Sequence, residues 1–202
     1  MASVSFTEVI DHGPGWTKVR GSDGREYTLS GARNWRNNNP GNIEYNRNGF
    51  APRHGAVGDD GRFAVFPTYQ AGRAAKEALL FETESYRNKS IADAIARYAP
   101  AFENNTSAYT AQVAAAAGVP SSTKMNELTS RQRRSVLDAM QRIEGWRVGT
   151  VNPAFPTGPR RGFHPDLENP PTDVPQYTGQ LPVARPVPMP IPDPRKAPNP
   201  YW

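Results

Sequence analysis

The stretch "ARNWRNNNPGNIEY" (residues 32–45) decides how the rest of the chain is interpreted. It places four asparagines, a proline and a glycine between Trp35 and Tyr45. Such a run is too polar for a core strand and too broken for a helix. Two interpretations stay open. The amides hold a loop with demanding turn geometry, or they form a surface that binds a polar ligand such as a glycan.

Composition limits the class of protein. The 202 residues suffice for one ordinary domain with extensions. The hydrophobic fraction of 37% and the mean hydropathy of −0.70 indicate that part of the chain packs no core of its own. The absence of cysteine excludes disulfides, thiol nucleophiles and zinc–thiolate sites. The sequence predicts neither a membrane span nor a signal peptide, because no apolar run is long enough and the N-terminus lacks a basic and an apolar part.

The net charge and the spacing of the histidines limit the kinds of partner and ligand that the protein binds. The net charge of +5 and the pI of about 9.6 allow an anionic partner: nucleic acid, anionic lipid or an acidic cell-wall polymer. Residues 1–151 carry +4 and residues 152–202 carry +1, and this even spread argues against a nucleic-acid-binding module. The three histidines lie far apart in sequence, so we predict no metal site and no cofactor. "GDDGRF" (58–63) lacks the alternating ligands of a calcium loop and predicts a tight hairpin turn.

Periodicity divides the chain into three zones and predicts an α+β, mainly α fold. Residues 1–31 alternate with period two between Gly-rich turns, which predicts a short antiparallel β meander that packs on the next zone or on a partner. Residues 32–151 predict a small helical domain. Residues 152–202 contain 15 prolines and predict an extended arm. The aromatic end of that arm, "NPYW", suits a docking segment, with plain disorder as the alternative.

Four amphipathic helices are expected in the middle zone. Each helix has a predicted N-cap residue, and three of the four have a proline or glycine that ends them. The predicted starts are Thr68, Ser90, Thr106 and a capping box of Thr129 with Gln132, and the predicted ends are Pro100, Gly118 and Gly145.

Glutamates supply the candidate chemistry. Cleavage of a glycosidic bond needs a carboxylic acid at the leaving oxygen, in a partly apolar place that favours the protonated form. Glu144 ends the last helix beside Trp146, so we expect an apolar wall around its carboxylate. Glu103 stands next to Phe102 in a loop before the third helix. Each also has a structural interpretation. Glu144 is then a surface helix residue, and Glu103 lies ahead of the helix cap and favours the helix dipole.

The opening stretch supplies the candidate binding residues. Side-chain amides pair with sugar hydroxyl and N-acetyl groups, and aromatic faces pack on pyranose rings. The candidate glycan-binding residues are Trp35, Asn37, Asn38, Asn39, Asn42, Glu44 and Tyr45, with Glu44 also a third, weaker candidate for catalysis.

Four ordered motifs carry a family resemblance. "RNNNPGNIEY", "GRFAVFPTYQAGRAAKEALL", "SIADAIARYAPAFENNTSAYTAQVAAAAGV" and "RIEGW" resemble a family of bacteriophage virion proteins over roughly residues 33–147. Members are described as structural proteins or as virion-associated peptidoglycan hydrolases, and the same block occurs in lysozyme-like modules of bacterial effectors. The motif set is specific, although any one motif alone is weak.

The resemblance implies a lysozyme-like helical domain that acts on the glycan strand of peptidoglycan. It implies the acid role for Glu144 and a supporting role for Glu103. "RIEGWR" is also similar to the helix-ending segment of phage lysozymes, where it lies near the N-terminus. We infer that a circularly permuted arrangement explains its late position here.

Two functions follow as expectations. The first is a muramidase or lytic transglycosylase, carried in the phage particle, that opens the host cell wall to aid genome entry. The second is a catalytically inactive structural virion protein, such as a tail or capsid adaptor or plug, that keeps the hydrolase fold and docks on other virion proteins through residues 152–202.

Overall fold

Alternating side chains at the N-terminus form the expected meander. The computed structural model describes residues 4–100 and 105–155. Strands β1 (Phe6–Gly13), β2 (Trp16–Gly21) and β3 (Glu26–Ser30) pair antiparallel in chain order. One face of this sheet is fully buried through Val19 and Leu29, and it packs against Trp35. The meander therefore packs on the zone that follows it in the chain.

A fourth strand comes from the far end of the described chain. Strand β6 (Thr150–Asn152) pairs antiparallel with β3, giving the sheet order β1-β2-β3-β6. The boundary expected at residue 152 therefore lies inside a strand. The predicted proline-rich arm falls on residues 156–202, outside the described residues.

Helices and one short hairpin fill the middle zone. The two longest helices, α3 (Tyr69–Phe81) and α6 (Ser130–Ile143), contact each other. The other elements are α1 (Arg33–Arg36), α2 (Phe50–Arg53), the hairpin of β4 (Gly58–Asp59) and β5 (Ala64–Val65), α4 (Ile91–Tyr98), α5 (Thr106–Ala117), and a 3₁₀ turn at Met125–Glu127.

Most of the predicted helix caps are present. The side chains of Thr68 and Ser90 accept hydrogen bonds from the first turns of α3 and α4. Thr129 and Gln132 form the predicted capping box of α6. Asn105, not Thr106, caps α5: its Oδ1 accepts from the N–H of Ala108 at 3.1 Å, and Thr106 is the first helical residue.

Apolar faces of α3 to α6 share one core. It forms because each helix has an apolar stripe at helical spacing that is stable only when packed on the others. The fully buried side chains of this core include Leu80, Ile91, Ile95, Val113, Val136, Leu137 and Met140.

The sheet and the helices together confirm the predicted mixed helix-and-sheet class. No helix in residues 4–100 and 105–155 is long and apolar enough to cross a membrane.

The hairpin turn "GDDGRF" is fixed by a buried ion pair. Asp60 Oδ2 lies 3.0 Å from Nη2 of Arg36, and the two side chains are 4% and 7% exposed. The same oxygen accepts from Nδ2 of Asn37 at 2.9 Å, and Oδ1 accepts from the N–H of Phe63. Asp60 therefore joins the hairpin to the loop that follows α1.

Close packing of α3 on that loop depends on a glycine. A Cβ atom on Gly72 would lie 1.8 Å from the carbonyl oxygen of Asn38 and 3.1 Å from Cδ of Pro40. No side chain fits between the helix and the loop backbone. This contact determines where the next turn of α3, which carries Lys76, meets the loop.

Gly72→Ala should destabilise the protein by about 1–3 kcal/mol, because the added methyl group pushes α3 away from Asn38. At an ordinary helix position the same change stabilises by roughly 0.5–1 kcal/mol, so the sign is informative. Urea denaturation measures the effect. Gln70→Ala, at an exposed position of the same helix, serves as the control and should change stability by less than about 0.5 kcal/mol. A Gly72→Ala protein as stable as wild type would refute the close contact.

Candidate functional site

Glu144 occupies the C-terminal cap of α6. Its N–H donates to the carbonyl oxygen of Met140 at 2.9 Å, and Gly145 follows in the left-handed conformation that ends the helix. The Glu144 carbonyl oxygen accepts from Nδ2 of Asn34 at 3.2 Å. The backbone of Glu144 is thus held by its own helix and by the segment that opens the asparagine-rich loop.

Four polar side chains surround the Glu144 carboxylate. Oε1 accepts from Nζ of Lys76 at 3.0 Å and from the hydroxyl of Tyr109 at 2.9 Å. Oε2 accepts from Nδ2 of Asn42 at 3.0 Å and lies 3.4 Å from the hydroxyl of Tyr98. The side chain of Glu144 is 11% exposed. We call Asn42, Lys76, Tyr98, Tyr109 and Glu144 the Glu144 cluster.

The environment of this carboxylate differs from the expected apolar wall. Ile143 packs toward the helical core, and Trp146 packs on Tyr69 and on the sheet side. Neighbours in sequence point in other directions from a helix end, so the Glu144 carboxylate meets the loop and helices α3, α4 and α5 instead. An ammonium group and hydroxyl donors stabilise a carboxylate's negative charge.

Lys76 is the buried cation of the cluster. Its side chain is 1% exposed, and its Nζ also donates to the carbonyl oxygen of Pro40 at 3.0 Å. Nζ lies 5.3 Å from the centroid of the Tyr98 ring. Burial lowers the pKa of Lys76, and the charge of Glu144 opposes that shift.

Both tyrosines of the cluster are held as hydroxyl donors. The Tyr98 hydroxyl also donates to the carbonyl oxygen of Gly41. Burial, followed by the charge of Glu144, raises the pKa of Tyr98 and of Tyr109 well above the usual range. Each hydroxyl therefore keeps its proton at neutral and mildly alkaline pH.

Three of the candidate asparagines are buried and bonded to the protein itself. Asn37 accepts from the Thr17 hydroxyl at 2.8 Å in addition to its bond to Asp60. Asn38, with a φ of 51°, donates to the carbonyl oxygen of Phe66. Asn39 donates to two backbone carbonyl oxygens and accepts from a backbone N–H, each at 2.9 Å. Of the two interpretations of the loop, this geometry favours the one in which the amides hold it.

The remaining candidates lie in different places. Asn42, with a φ of 42°, reaches the Glu144 carboxylate. Trp35 is 1% exposed inside the core beneath the sheet. Glu44 accepts from Nε of Arg62 at 2.7 Å, and the half-buried Tyr45 packs beside Ile43 and Phe66. The Glu103 prediction falls on residues 101–104, outside the described residues.

Lys76, Tyr98 and Tyr109 were not among the predicted site residues. The tyrosines lie on helix faces where helical spacing predicts only core packing. Lys76 had a usable signal, since Gly72, Lys76 and Leu80 follow at i, i+4 spacing and so share one face of α3. A lysine in line with a core leucine indicates a buried partner.

The other parts of the described chain offer weaker candidate sites. A surface cavity of about 310 Å³ is lined by Val9–His12, Gly58 and Asp59, none of which belongs to the Glu144 cluster. We place the candidate site at Glu144 because side chains from four other segments contact one carboxylate there. Within the described ranges, no three histidine or carboxylate side chains come together as metal ligands.

Comparison with known proteins gives a phage relative. Protein P5 of Pseudoalteromonas phage PM2 is 39% identical to this chain over 101 residues. The chain is similar to a bacteriophage protein. The match spans 48% of this chain and 63% of Protein P5, so it covers less than two thirds of that relative. No family model matches the chain.

Stability should fall as pH rises above about 10. A tyrosine whose pKa is raised in the folded protein loses its proton first in the unfolded chain, so folding is weakened from the ordinary value of 10.0 upward. Burial raises the pKa of Tyr69 and Tyr86 in the same direction. Lys76, with its lowered pKa, contributes the opposite sign, but it is one group against five tyrosines, because burial raises the pKa of Tyr27 as well.

Thermal melts between pH 8 and 11, followed by circular dichroism, measure this alkaline loss. Tyr109→Phe removes one titrating hydroxyl, so its melting temperature should fall less steeply with pH than that of wild type. A melting temperature that stays level or rises between pH 9 and 11 would contradict the burial of these hydroxyl groups.

Proposed function

We propose that this chain is a bacteriophage virion protein that cleaves the glycan strand of peptidoglycan, as a muramidase or lytic transglycosylase, with Glu144 as the proton-transferring group. One observation carries the proposal. Asn42, Lys76, Tyr98 and Tyr109 come from four separate segments of the sequence and converge on one carboxylate. The similarity to a phage protein supports the context.

The chemistry of the bond explains the choice of Glu144. A glycosidic oxygen leaves readily only when a carboxyl group gives it a proton, and the same group can later accept one from water or from a sugar hydroxyl. The side chain of Glu144 is held in a fixed position by its cluster, and general acid–base catalysis depends on a positioned group. Asn42 is the member of the predicted binding loop that lies at the reacting group.

The proposed setting is the phage particle at the host cell wall. Local cleavage of the wall would aid entry of the genome. The proline-rich residues 156–202 are proposed to dock on other virion proteins, because a proline-rich composition disfavours a core of its own and the aromatic pair of "NPYW" suits a partner surface.

A second function is favoured by the same contacts. A carboxylate with three firm donors, one of them a buried ammonium group, is also what a structural ion pair requires. The alternative is therefore an inactive virion protein, in which the Glu144 cluster only joins the loop to helices α3, α4, α5 and α6. Activity separates the two.

Clearing of purified peptidoglycan, followed by turbidity over a range of pH, tests the enzyme. Wild type should clear it, and Glu144→Gln should reduce the rate at least about 100-fold, as expected for loss of a general acid–base group. Glu77→Gln removes an exposed carboxylate from α3 and should retain the wild-type rate.

Glu144→Gln also leaves Lys76 without its counter-ion, so instability alone must be controlled. Leu29→Ala removes a fully buried side chain from the sheet core and should cost about 2–5 kcal/mol. Below its melting temperature it should still clear peptidoglycan. Absence of clearing by wild type at every pH would leave the structural function, and full activity in Glu144→Gln would remove Glu144 from the chemistry.

A further inference from the structure

The two oxygens of Glu144 have unequal surroundings. Oε1 receives a charged donor and a hydroxyl donor at 3.0 and 2.9 Å, from Lys76 and Tyr109. Oε2 receives the neutral amide of Asn42 at 3.0 Å, and its contact with Tyr98 is longer, at 3.4 Å. Because Tyr98 also donates its single proton to Gly41, Oε2 has one firm donor.

We propose that Lys76 is a positioning residue which, together with the Tyr109 hydroxyl, anchors Oε1 of Glu144 and leaves Oε2 as the oxygen that exchanges a proton with the glycan. This inference rests on the proposed function and deepens it. An ammonium group bound to one oxygen stabilises negative charge there, so the proton of the acid form resides on the other oxygen.

The position of Lys76 is itself restricted from several sides. Its Nζ donates to the Pro40 carbonyl oxygen and lies 5.3 Å from the centroid of the Tyr98 ring. A Cβ atom on Gly41 would lie 3.2 Å from Cβ and 3.1 Å from Cγ of Lys76, so the lysine stem packs directly under the loop. Gly72 allows this close approach of α3. Lys76 thus has little freedom to leave Oε1.

The charged groups around Lys76 point to the same pairing. Arg73 lies one turn earlier on α3. Its Nη2 is 2.7 Å from Oδ1 of Asp138, so this cation has an acidic partner of its own. Tyr98 and Tyr109 are the titratable hydroxyl groups that face the pair, from α4 and α5. Glu144 is the carboxylate that Lys76 contacts in the described part of the chain.

Lys76→Met tests the role because methionine keeps the length of the side chain and removes the charge. The positive charge that lies 3.0 Å from Oε1 is then absent. The alkaline limb of the pH profile for peptidoglycan clearing should therefore move up by at least about one pH unit. Lys76→Arg, which keeps the charge, should leave the limb near its wild-type position.

A measurement that needs no activity accompanies the assay. The NMR shift of the carboxyl carbon of ¹³C-labelled Glu144 depends on the donors bound to its oxygens, and at a fixed pH it should differ between Lys76→Met and wild type. Tyr109→Phe removes the second donor to Oε1 and should move the signal in the same direction by less. It serves as the test if Lys76→Met does not fold.

The outcomes separate the two claims. A Lys76→Met pH profile and a Glu144 carboxyl signal equal to those of wild type would overturn the positioning role while the enzyme proposal stands. An NMR change in Lys76→Met, combined with no clearing by wild type, would overturn the catalytic role of both residues and leave a structural ion pair. Clearing by wild type with both shifts present supports the proposal.

Discussion

The ion pair between Glu144 and Lys76 is the interaction on which the arrangement of the domain depends. Both side chains are largely withdrawn from water, at 11% and 1% exposure, and removal of charge from water is costly unless every donor and acceptor is matched. The matching groups come from the loop and from α4 and α5. The loop and four helices, α3 to α6, must therefore be in place at once for the pair to be stable.

Two further contacts support that arrangement. Asp60, bound to Arg36 and Asn37, joins the β4–β5 hairpin to the asparagine-rich loop. Gly72 lets α3 pack on the loop backbone, which brings Lys76 to Pro40. The run of asparagines that made the sequence unusual thus serves mainly to satisfy buried backbone and side-chain groups. A loop in the interior must be supplied with such partners, because water does not reach it.

Much of this architecture was predictable from local patterns, and the site was predictable only in part. Period-two alternation predicted β1 to β3. The caps at Thr68, Ser90 and Thr129 were predictable because each contacts a backbone N–H only three residues away. The sequence also singled out Glu144. Strand β6 could not be predicted, since three residues carry little periodicity and pair with a strand far away in sequence. The burial of Asn37 and the recruitment of Lys76 depend on long-range packing, which overrides the usual exposure of amides and lysines.

A double-mutant cycle on the pair tests the central claim most directly. Lys76→Met and Glu144→Gln should each cost about 3–5 kcal/mol, because each leaves a buried charged or polar group unpaired. The double variant should be less destabilised than the sum of the two, with a coupling of about 1–3 kcal/mol by urea denaturation. Additive losses would show that the two residues do not act together, and would contradict the account.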